Sequence, residues 1–167
     1  PVKKIDAHNN FIFFTVAVIF VLVAAAFVSS SPDGENHRLL QAVMLLTQLV
    51  AYASLNLSRQ WRLFVAAMVL LMLIINGLRE FTAWPTVPLA GLLVILVFYC
   101  GMVVVAGRQV LYTSGIEFNH IVGTVAVFLL LGLIWALLYL VTLEFWPDGF
   151  NGIAYKNWND NLGTAIY

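Results

Sequence analysis

With 62% hydrophobic and 10% charged residues and a mean hydropathy of +0.95, this 167-residue chain lies far outside the soluble range and reads as an all-α integral membrane protein whose partner is the lipid bilayer. Its formal charge is zero and its basic residues are scattered, which argues against nucleic acid or any polyanion as a partner. The single cysteine, Cys100, excludes an intrachain disulfide and reads as a small lipid-facing or packed residue inside an apolar run.

The polar stretch PVKKIDAHNN precedes a first apolar run, Phe11 to Val28, broken only by Thr15. No small-residue cleavage pattern follows it, so the run is a retained span rather than a secretory signal. The loop SSSPDGENHR leads to a second, less apolar run, Leu39 to Leu57. Gln41 and Gln48, seven residues apart, share a face that should look into a bundle, where an amide finds partners that lipid does not offer. Ser58 to Arg62 reads as a short basic turn, and Leu63 to Leu78 as a third span with Trp61 and Arg79 at the two interfaces. Trp84, Pro85 and Pro88 then break the helix. A fourth run covers Leu89 to Ala106 and ends at Gly107 and Arg108; Gln109 to Glu117 is mixed and suits an interfacial connector. Asn119 to Leu143 is the fifth run, long enough to cross a bilayer.

A cytoplasmic N-terminus puts Lys3, Lys4, Arg59, Arg62 and Arg108 inside against Arg38, Arg79 and Lys156 outside, the sign the positive-inside rule demands. Trp146 and Trp158 then sit at the outer headgroup level on either side of a Pro147-Asp148-Gly149 turn.

Chemistry at bilayer depth needs a nucleophile with its base, a carboxylate pair or a metal cluster, and no such set stands in the spans. His8, His37 and His120 lie in three different segments, and every carboxylate falls at or beyond a span end. His120 and Glu117 make an i, i+3 pair that suits a local interfacial hydrogen bond. We therefore expect no enzyme, no metal and no cofactor. The fourth run carries no charge, and Arg108 at its end reads as an interfacial anchor rather than a gating charge.

On the fifth run Gly132 and Ala136 form a small-xxx-small pair that permits close helix approach, with Gly123 two turns earlier. Trp135 lies far from either interface, so its ring and N–H should face protein. After the external loop, Asp160 or Asn161 is a good N-cap for a helix opening Leu162-Gly163-Thr164-Ala165-Ile166-Tyr167. Two readings stay open: a sixth span, or a half-helix whose carbonyl end points into a central cavity and favours a cation.

At these residues the chain resembles bacterial potassium channels of the ion-channel superfamily. The outer helix of that family stands here as FLLLGLIWALLY, Phe128 to Tyr139, with Phe128 where a tyrosine is usual; the opening of its pore helix stands as Leu162, Thr164, Ala165 and Tyr167. The resemblance covers about the last fifty residues. It implies a four-helix peripheral domain over residues 1–108, a connector over 109–118 and a pore domain over 119–167, assembled as a homotetramer in the bacterial inner membrane. It also implies K+ as the permeant ion, with no cofactor. In the family the chain continues into a selectivity filter and an inner helix; neither lies within these residues, and with Pro1 in place of Met we expect a fragment. The rival reading is a structural or regulatory membrane subunit without a pore.

Overall fold

The structure, a computed structural model, describes residues 10–30, 37–54, 58–81, 86–112, 118–147, 149 and 158–167. All regular structure among the described residues is α-helical: α1 (Asn10–Ser30), α2 (His37–Ser54), α3 (Arg59–Phe81), α4 (Thr86–Leu111), α5 (Phe118–Phe145) and the short α6 (Trp158–Ile166). This is the all-α polytopic architecture that the apolar runs predict. Four helices, α1, α3, α4 and α5, are long and apolar enough to cross a membrane. Among the described residues the second run is shorter than the other four: the apolar part of α2, Leu39–Ser54, rises about 24 Å at 1.5 Å per residue, and residues 55–57 at the end of the expected span lie outside the described residues.

Helices α1 to α5 close a ring in which each packs on the next and α5 returns to α1. The seams repeat at three- and four-residue steps, the spacing that keeps one stripe of a slightly coiled helix on its neighbours. Phe11, Phe14, Val18, Val21, Ala25 and Val28 are the buried stripe of α1. Asn119, Gly123, Ala126, Leu130, Leu133, Leu137 and Leu140 are that of α5. The apolar parts of these stripes join those of α2, α3 and α4 in one core, with Met44, Met72, Phe98 and Tyr99 among its largest buried side chains.

Polar groups on the stripes bond backbone. The Thr47 hydroxyl shares its proton between Val43 O at 2.9 Å in its own helix and Ala17 O at 3.3 Å in α1. Thr15 does the same with Phe11 O at 2.7 Å and Val122 O in α5 at 3.3 Å. Such back-bonding keeps a hydroxyl satisfied where no water reaches. Gln48 is buried as its face predicts, Gln41 is half-buried, and Gln48 Oε1 has no hydrogen-bond partner among the described residues.

Where α1 and α5 begin, the Phe11 N–H donates to Asn119 Oδ1 at 3.2 Å, so α5 supplies an acceptor for one of the first-turn donors of α1. Asn119→Ala removes this buried hydrogen bond between the two helices. We expect a loss of about 1–2 kcal/mol, read as an earlier midpoint in detergent-driven unfolding.

Several helix ends differ from the sequence expectation. Arg59 to Arg62, predicted as a turn, form the first turn of α3, its Arg62 N–H donating to Ser58 O at 2.9 Å. Pro88, predicted as a breaker, sits in the first turn of α4, where a missing N–H breaks no helix bond. Gln109 to Leu111 continue α4, and Gln109 was expected to open the connector; residues 113–117 of that connector, with Glu117, lie outside the described residues.

Candidate functional site

The candidate site is α6 together with the outward face of α5. Trp158, Asn161 and Leu162 are buried, and Ala165 and Ile166 pack on the core, a stripe at helical spacing that seats α6 against α1 and α5. Trp158 is therefore not the headgroup-level anchor expected from sequence. It is 2% exposed in the core, and its Nε1 has no hydrogen-bond partner among the described residues. Trp146 is 67% exposed, and the turn after it closes through the Gly149 N–H on Trp146 O at 2.9 Å. The helix starts at Trp158, so Asp160 and Asn161 lie in its first turn rather than at its cap.

Thr164 and Tyr167, an i, i+3 pair, are both exposed. The Tyr167 hydroxyl donates to Leu22 O at 3.2 Å. Leu22 lies eight residues before Ser30, about 12 Å along α1 at the rise of a helix, so the far end of α6 meets α1 well inside its length. Of the four predicted pore-helix residues, Leu162 and Ala165 thus hold α6 to the bundle, Tyr167 is exposed but ties the end of α6 to α1 through its hydroxyl, and Thr164 faces outward.

On α5 the predicted small-residue pair divides. Ala136 is buried inside the protomer, whereas Gly132 is exposed with nothing within 4 Å of where a Cβ would stand. The 100° step of the helix sets i and i+4 only about 40° apart, and the edge of the buried stripe falls between them, with Ala136 just inside it and Gly132 just outside. Trp135 is 60% exposed in this chain, facing away from the helix bundle, with its ring 6.4 Å from that of Tyr139. Phe128, Gly132, Trp135 and Tyr139 line this outward face.

Sequence reading missed the second feature of the molecule, an open groove of about 640 Å³ between α3 and α4. Its floor is Gly101, where a Cβ would stand 2.6 Å from Phe64 Cε1 and 3.4 Å from Trp61 Cζ3. A glycine facing two aromatic residues on the preceding helix was the signal available. Among the described residues no group of three His, Cys, Asp or Glu side chains is placed to hold a metal ion. Comparison of the chain with protein-family models, with curated proteins and with solved structures gives no match in any of the three.

Proposed function

We propose that this chain is the membrane portion of a non-voltage-gated potassium channel subunit, passing K+ passively through a pore formed by a homotetramer, with its N-terminus in the cytoplasm of a bacterial cell. The observation that carries the reading is α6. It packs by one face on α1 and α5, and its Tyr167 end meets α1 at the Leu22 level, the position a half-helix descending beside an outer helix would take. The outward Trp135 supports assembly: an indole N–H well inside a span gains a partner from a neighbouring subunit and none from acyl chains. Voltage independence rests on α4, in which Arg108 in the last turn is the one charged residue; steep gating needs several charges within the field.

Planar-bilayer recording from the protein expressed from its complete reading frame tests the proposal. The expected result is a K+ current that exceeds the Na+ current and whose open probability is flat with voltage. Bilayers that stay silent favour the rival reading of a structural subunit; a steep conductance-voltage curve that Arg108→Gln abolishes contradicts voltage independence.

A further inference from the structure

We infer that the groove between α3 and α4 binds an anionic phospholipid, with the phosphate at Arg108 and one acyl chain laid along Val104, Cys100 and Val97 beside the Trp61 and Phe64 rings. The inference is independent of the pore reading. The groove runs from apolar to cationic: Val97, Cys100 and Val104 line its deeper part, and Gln60 and Arg108 its mouth. From Arg108 to Val97 is eleven residues, about 16 Å of helix, close to the depth of one leaflet of a core about 30 Å thick. Because Gly101 has no side chain, the Phe64 ring seats directly on α4 where a Cβ would stand, and the Trp61 and Phe64 rings, edge to face at 5.5 Å, form a rigid wall beside the exposed Val97, Cys100 and Val104.

Charge selects the headgroup. Arg59, Arg62 and Arg108 are exposed at this same end of the bundle, where α3 begins and α4 ends. A guanidinium binds phosphate oxygens in a two-pronged fashion, and the neighbouring cations favour a lipid that keeps a net negative charge over one whose choline cancels it.

The chain carries its own reporter. Cys100 is its single cysteine, is exposed, lines the groove, and lies eight residues from Arg108, about 12 Å along the helix and at mid-chain depth for a lipid held there. The protein labelled at Cys100 with bimane is placed in phosphatidylcholine vesicles, and low, equal mole fractions of acyl-brominated phosphatidylglycerol or phosphatidylcholine are added. We expect the brominated phosphatidylglycerol to quench about fivefold more effectively, the factor that one cation supplies toward an anionic lipid. Arg108→Gln should cut the preference to what Arg59 and Arg62 alone supply, and Arg108→Lys, which keeps the charge, should retain it and so exclude misfolding as the cause. Equal quenching by the two lipids in the unsubstituted protein overturns the inference, as does a preference that Arg108→Gln leaves undiminished.

Discussion

Gly123→Leu is expected to destabilise the protein by about 3 kcal/mol, the upper part of the usual range for overpacking a close-packed site. A Cβ at this position would stand 2.8 Å from Val110 Cγ2 in α4 and 3.0 Å from Phe11 Cγ in α1. Both obstacles are stiff: a β-branched side chain and the root of a ring. Three helices meet here, and the substitution separates α1 from α5 where the Asn119 acceptor and the Thr15 contact to Val122 O join them. Unfolding in mixed micelles should begin at a much lower denaturing-detergent fraction than for the unsubstituted protein. A midpoint left unchanged would mean that α1 and α5 do not approach as closely as described.

Gly132→Phe, nine residues along the same helix, should have the opposite profile. Nothing lies within 4 Å of a Cβ there, so the protomer has room for the ring and loses a helix-weakening glycine, a gain of about 0.5 kcal/mol. On a subunit interface the same ring prevents close approach. We expect a folded protein with an unchanged or slightly raised unfolding midpoint that elutes as a monomer by light scattering, where the unsubstituted protein elutes as a tetramer. A variant that keeps the unsubstituted protein's oligomeric mass places Gly132 toward lipid and removes the support that this face gives to assembly.

The two glycines show what a membrane sequence reveals and what it hides. The existence and order of the helices were readable because long apolar runs alternate with Pro-, Gly- and charge-bearing breaks. Facing was not, because on α1 and α5 the stripe toward protein and the stripe toward lipid are equally apolar, so no alternation marks which is buried. Gly132 and Ala136 were read as one surface and lie on two. Helix ends were misplaced where charge or proline was taken as a stop: Arg59 and Arg62 can begin a helix because its first turn projects beyond the hydrocarbon, and Pro88 fits a first turn without loss. Trp158 was assigned to the headgroup layer by residue type, although its spacing to Leu162 and Ala165 marks one helical face. Leu162, Thr164 and Ala165 fall within a helix that ends just before Tyr167, but the division into an inward Leu162 and Ala165 and an outward Thr164 required the packing of α6 on α1.

The central claim is that the outward face of α6 is covered by another subunit rather than by lipid. In a Cys100→Ser background, Thr164→Cys and, separately, Leu70→Cys, an exposed position midway along α3 and remote from α5, can each be labelled with bimane in bilayers containing brominated lipid. Strong quenching at position 70 with little at position 164 is the predicted result. Equal quenching at the two positions would place Thr164 against acyl chains and contradict the pore reading.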